Sequence, residues 1–328
     1  MVASGHSKSW ELKLPIAFAV WVPIVVFVIL LGFRLGYGGR RYGITLSVAA
    51  VLFAFEFFLA CPSVLERTRK VLGERGRVLA PLVPLFAVLI YSTTVTGNWK
   101  MALAGAAYCV LPALLLARSA GKPPGTWEDY AAALIVWLPV EFRWMYHVFP
   151  YPTELTHTLT ILLALSTGIA AFVLLRRMDG IGYQIVWRRG FGANVAIHFL
   201  IFVAIAVPLG MQMGFLKFDP TMARLRSLPL GTVGITFFTA WPEEFLFRGV
   251  LENLLSRTLK NQWTGLAMAA VIFGFSHILH APFPNWKYVF LATIAGLFYG
   301  HVWMKTGSLF PGALVHALVD ISWHVLFR

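Results

Sequence analysis

Trp241-Pro242-Glu243-Glu244-Phe245-Leu246-Phe247-Arg248 sets two adjacent carboxylates and a guanidinium in a run otherwise apolar enough to lie in a bilayer. Ionisable groups at membrane depth are costly, so their presence there points to function. In a helix, residues four apart share a face, and an acid N-terminal to its cation is the favoured order. Glu244 and Arg248 form such a pair. Glu243 points about 100° away, with no cation at helical spacing. The two carboxylates are therefore expected to differ, Glu244 braced by Arg248 and Glu243 available for acid/base work. The bland alternative is a Glu–Arg clamp between helices, with Glu243 as a bystander. Pro242 suits a first helical turn, so a helix is expected to start there.

Two later apolar runs carry the other chemical groups. In Phe273-Gly274-Phe275-Ser276-His277-Ile278-Leu279-His280, Phe273 precedes His277 by one turn and can pack its imidazole, while His280 falls nearer the interface. In Pro311-Gly312-Ala313-Leu314-Val315-His316-Ala317-Leu318-Val319-Asp320, His316 and Asp320 share a face. That face is either a helix–helix hydrogen bond or a pair that stabilises an oxyanion or a metal. His324 continues it. Tyr299 and His301 lie on a neighbouring span beside Gly296 and Gly300, small residues suited to close helix packing. Neither H-E-x-x-H nor a phosphate-binding glycine loop is present. Ser276 is a weak nucleophile candidate. Acid/base groups on three late helices suggest hydrolysis or proton chemistry inside a membrane.

The elements that must position these groups are apolar helices. Of 328 residues, 59% are hydrophobic and only 12% are charged, against about 25% charged in soluble chains. The class is an all-α polytopic bundle. Runs of about 17–25 apolar residues give ten or eleven candidate spans. These include 79–97 and 99–118, poorly separated, and 129–149, weakened by Glu141 and Arg143. The last four spans are expected to enclose the active-site cavity. The first 13 residues are polar, and the apolar run after them reads as a first span rather than a cleaved signal. The net charge of +13 sits in short gaps between spans, which suits positive-inside anchoring to a lipid bilayer and not nucleic acid. Its distribution places the N-terminus in the cytoplasm. The basic stretch 176–189 is the best internal boundary, leaving residues 1–190 as a transmembrane region of unassigned role and 191–328 as the catalytic part. Residues 215–229 mix apolar and basic side chains around Pro220 and suit the interface. Cys61 and Cys109 read as buried free thiols.

Glu-Glu-x-x-x-Arg (Glu243, Glu244, Arg248), Phe-x-x-x-His (Phe273, His277) and His-x-x-x-Asp (His316, Asp320), in that order on three late spans, resemble the CPBP family of intramembrane proteases. That family includes the CAAX prenyl endopeptidases and bacterial relatives tied to bacteriocin processing. Gly307-Ser308-Leu309-Phe310-Pro311 at the start of the last span matches as well, and the resemblance covers about residues 190–327. It implies a multi-pass membrane endopeptidase, in the cell membrane if bacterial, acting on a membrane-associated peptide or protein. Glu243 and His277 would activate a water. His316 and residue 320 would stabilise the oxyanion, with Glu244, Arg248 and Phe273 in support. The family is often labelled metalloprotease. His277, His316 and Glu243 could ligate zinc or another divalent metal, or the glutamate and imidazole could share a water without one. The last position is commonly Asn in the family and is Asp320 here. The rival reading is a non-proteolytic membrane protein, a proton-coupled transporter or an inactive immunity or scaffold homologue.

Overall fold

A computed structural model describes residues 9–328. The N-terminal tail up to residue 8, on which the orientation reading partly rests, lies outside them. The chain divides into two compact units, Leu12–Asp179 and Gly180–Arg328, the latter together with the first strand.

The first unit holds α1 (Leu14–Arg34), α2 (Gly39–Leu59), α3 (Pro62–Gly76), α4 (Leu82–Tyr91), α5 (Trp99–Arg118), α6 (Trp127–Glu141) and α7 (Thr156–Gly168). A π-helical segment, Ile169–Leu175, carries α7 onward. The window of that helical stretch most suited to a bilayer is 89% buried, making it the centre of the unit. The poorly separated pair 79–97 and 99–118 is resolved by Gly97, left-handed at φ 63°, and by Asn98, whose side chain caps α5. The candidate span 129–149 stops short. α6 ends at Glu141, which accepts from Trp137 Nε1 at 3.1 Å, and Arg143 turns left-handed at φ 58°.

The second unit begins with a two-stranded antiparallel ribbon, β1 (Trp10–Glu11) against β2 (Val186–Trp187). Then follow α8 (Phe191–Gln212), α9 (Met222–Ile235), α10 (Trp241–Glu244), α11 (Asn253–Thr258), α12 (Gln262–Phe275), α13 (Trp286–Thr306) and α14 (Leu309–Leu326). Pro242 does not start a helix. Thr236–Ala240 and Phe245–Glu252 are π-helical, so one helical run extends from Met222 to Thr258 with α10 in its middle. The wider turn before Pro242 relieves the clash that proline makes with the preceding carbonyl. Asn261 caps α12 through Trp263 and Thr264 N–H, and Asn285 caps α13 through Tyr288 N–H at 3.1 Å. α13 packs on α8, α12 and α14. An added Cβ on Gly296 would stand 3.0 Å from Ala270 Cα, so α12 and α13 meet almost backbone to backbone there.

Among the described residues, six helices are long and apolar enough to cross a bilayer, or seven if the pair Pro62–Leu79 and Leu82–Thr96, bent by 57°, counts as one span. The protein is an integral, multi-pass membrane protein. The count is below the ten or eleven expected because several apolar runs make short or broken helices. α12, at 14 residues, rises only about 21 Å, less than the roughly 30 Å hydrocarbon core.

Residues 215–229 are stitched to the chain's last residues. Lys217 and Arg328 exchange backbone hydrogen bonds at 3.0 and 2.9 Å, and Asp219 N donates to Leu326 O at 2.9 Å. Arg224 Nη1 adds bonds to Asp219 O and Phe327 O.

Candidate active site

His316, buried in α14, is where the motifs meet. Its Nδ1 donates to Glu244 Oε1 at 3.0 Å. That bond leaves Nε2 facing two other carboxylates, Asp320 Oδ2 at 3.5 Å and Glu243 Oε2 at 3.8 Å. The ring is clamped. Tyr299 stacks on it at 4.5 Å and 17°, and Phe273 meets it edge-on at 5.7 Å and 86°. Sequence spacing linked His316 only to Asp320. Its partners on the 222–258 run required the fold.

The neighbouring glutamates occupy opposite environments. Glu244 has 1% of its side chain exposed and its Oε2 lies 3.2 Å from Arg248 Nε. Glu243 has 32% exposed and Asp320 has 28%. One side of the imidazole is therefore sealed and the other accessible. Arg248 is fully buried, and its Nη1 and Nη2 have no hydrogen-bond partner among the described residues. The guanidinium lies instead over the Phe273 ring at 4.7 Å and near Tyr299 at 5.8 Å, where ring faces attract a desolvated cation. Phe273 thus supports Arg248 and the imidazoles of His277 and His316 together. Gly312 lies against this cluster, where an added Cβ would make ordinary contacts at 3.4 Å with Glu244 Oε2 and Tyr299 O.

His277 follows the end of α12, where the last carbonyls lack helical partners. Its Nδ1 donates to Phe273 O at 2.9 Å, which leaves Nε2 as the ring's acceptor. Phe273 packs against it at 4.9 Å. Ser276 donates its hydroxyl to the same Phe273 carbonyl at 2.7 Å, and although its oxygen lies 3.1 Å from His277 Nδ1, that nitrogen carries the proton given to Phe273 O and is no base for the hydroxyl. His280 stacks beside His277 at 5.7 Å. His301 lies elsewhere, with Nδ1 3.0 Å from His198 Nε2.

A cavity of about 390 Å³ reaches the site at Asp320. Its walls are Ile235 and Thr239 on the 222–258 run, Tyr288 on α13, and Trp323 and His324 on α14, with Arg224 and Phe327 also lining it. The volume is within the usual range for a ligand site, roughly 300–1,000 Å³. The expected quartet of spans is thus modified: α12 delivers His277 to the site without lining this cavity.

The suggested zinc set of His277, His316 and Glu243 is not gathered. Among the described residues no three or more His, Cys, Asp or Glu side chains converge to hold a metal ion. His316 Nδ1 is already engaged by Glu244. The residues do not fit a bound metal, and no chemical step is routed through one.

Two residues at the site were not singled out as members of it by the sequence. Tyr299 was noted only beside Gly296 and Gly300 on a closely packed span, and nothing in its spacing tells that it will cover His316. Glu252 lies one further turn along the Glu244–Arg248 face, 1% exposed, with no hydrogen-bond partner for either oxygen among the described residues. The i, i+4, i+8 spacing was the available signal.

Residues 225–322 match the model of a family described as Rce1-like, type II CAAX prenyl endopeptidase. The matched stretch contains all three motifs and agrees with the resemblance read from them. No curated protein and no solved structure matches the chain.

Proposed function

We propose that this chain, with an Rce1-like domain over its last third, is an intramembrane endopeptidase that uses Glu243 as general base. The observation that carries the reading is the two-sided environment of His316, sealed by Glu244 and Arg248 at Nδ1 and open to Glu243 and Asp320 at Nε2. Buried pairing on one side fixes the ring's orientation, the task a third group performs in other hydrolytic sites. The accessible side faces the acids and the cavity.

In the proposed reaction a water lies between Glu243 and the bare Nε2 of His277. Its oxygen attacks the scissile carbonyl carbon while its proton passes to Glu243. The carbonyl π pair moves onto oxygen and makes an oxyanion, which the Nε2–H of His316, held as the imidazolium among the carboxylates of Glu244, Asp320 and Glu243, helps to hold. The tetrahedral species then collapses, the C–N bond breaks, and the proton goes from Glu243 to the leaving amine. One water is consumed, and a carboxylic acid and an amine are formed. General base catalysis of this kind contributes about 10²–10⁴-fold.

The substrate is a membrane-associated peptide or protein that reaches the site through the cavity at Asp320. Prenylated peptides, suggested by the family's description, are the first to try. The test is cleavage of membrane-tethered peptides by the purified protein in proteoliposomes, read by mass spectrometry. Cleavage that Glu243→Gln abolishes, with insertion and folding intact, is expected. Wild-type turnover by that variant overturns the mechanism.

A further inference from the structure

An ionised carboxylate accepts hydrogen bonds and donates none. Asp320 stands 3.5 Å from His316 Nε2 and lines the cavity. An oxyanion formed there needs donors. His316 is one, and Asp320 as a carboxylate would repel the charge instead of receiving it. A second donor has to come from another side chain on the same cavity.

Tyr288 lines that cavity with Asp320. Its position is fixed from several sides. Asn285 Oδ1 accepts its backbone N–H in the first turn of α13. Its ring packs at 4.4 Å from His277, 5.1 Å from Trp323 and 5.3 Å from Phe215. The Asp320 and Glu243 carboxylates both lie near enough to act on the phenol electrostatically. Yet the hydroxyl has no hydrogen-bond partner among the described residues. A tyrosine that packs its ring this closely usually finds a partner for its O–H. Here the donor is left open beside the accessible acids.

We propose that Tyr288 is a catalytic residue whose O–H donates to the oxyanion, supplying the hydrogen bond that Asp320 cannot. The proposal rests on the endopeptidase reading. No proton is transferred. The bond strengthens as negative charge gathers on the carbonyl oxygen and weakens as the C–N bond breaks. Asp320 is then a positioning residue whose carboxylate, 3.5 Å from Nε2, holds the His316 imidazolium by charge and leaves its N–H for the oxyanion.

The experiment measures kcat and KM in proteoliposomes on a peptide that the wild type cleaves. Tyr288→Phe keeps the ring contacts and removes only the O–H. It should lower kcat about 10²-fold, the usual loss for one oxyanion donor, with KM and the unfolding midpoint in detergent unchanged. Adding Asp320→Asn to Tyr288→Phe should recover about tenfold, because the carboxamide brings an N–H donor to the same place. A Tyr288→Phe enzyme within twofold of the wild-type kcat overturns the proposal. So does a loss of kcat that Asp320→Asn leaves unrecovered, or one matched by a lower unfolding midpoint. Glu243→Gln run in parallel separates the two readings. If it is inactive while Tyr288→Phe is unaffected, only Tyr288 loses its role. If it cleaves like the wild type, the endopeptidase reading falls and takes this proposal with it.

Discussion

Among the described residues each unit buries an arginine–carboxylate pair, and the two pairs are built differently. In the first unit Arg176 holds Asp129 through two bonds, Nε to Oδ1 at 2.7 Å and Nη2 to Oδ2 at 3.2 Å. Asp129 also accepts from the backbone N–H of Gly125 and Thr126. The carboxylate is satisfied on its own side of the chain and closes the start of α6. In the second unit Glu244 meets Arg248 through a single contact at 3.2 Å, and the guanidinium's outer nitrogens rest among aromatic rings. Glu244's other oxygen reaches out to His316. A pair that completes its own bonding stabilises a helix end. One that leaves an oxygen for an imidazole transmits its orientation to a reacting group.

The comparison can be broken most directly at the exposed acid. Glu243→Gln should lower cleavage by about 10³-fold, within the span attributed to a general base, and leave unfolding in detergent unchanged. The next effect separates the two pairs. Asp129→Ala and Glu244→Ala each strand a buried arginine, at a cost of about 3–5 kcal/mol, measurable as a lower unfolding midpoint. Cleavage per folded molecule should survive the first and be lost in the second. Replacing both partners with apolar residues of similar volume sharpens the distinction. Such exchanges are often neutral for stability, so the 129/176 double variant should regain its midpoint and keep its turnover. The 244/248 double variant should regain stability only.

Smaller effects test the packing around the second pair. Phe273→Leu removes the ring face under Arg248 and should cost about 0.5–2 kcal/mol, with cleavage reduced through the loosened His316. Gly300→Ala would place a Cβ 2.3 Å from Glu252 Oε2 and 2.4 Å from Leu266 Cδ1. Overpacking of this kind typically costs about 1–3 kcal/mol, read from the same unfolding curves. A stability change near zero would show that the 222–258 run is freer to shift than its burial implies.

The sequence revealed the polar groups because a bilayer makes them conspicuous. Glu244 and Arg248 were legible as a pair since helical spacing alone brings them together. His316 and Asp320 were legible for the same reason. The contact that joins the two sets, His316 to Glu244, spans 72 residues, and no local pattern encodes it. Tyr288 and Tyr299 were hidden among aromatic residues that make up 15% of the chain. Apolar length was equated with helix length, whereas the break after Glu141 lies in turn geometry. Pro242 misled for a related reason. Its preference for a first turn was overridden by a helix that widens to admit it.

That widening has an evolutionary corollary. A π turn holds one more residue than an α turn, and such turns flank Glu243 and Glu244 on both sides. Rewinding 236–240 as an ordinary α turn, with no residue removed, would give a smoother cylinder and rotate everything before it by roughly 100° relative to the acids. The membrane-embedded rod would gain regularity and misalign its own working face. The irregularity is therefore expected to persist under selection for turnover and to vanish in lineages that have abandoned it.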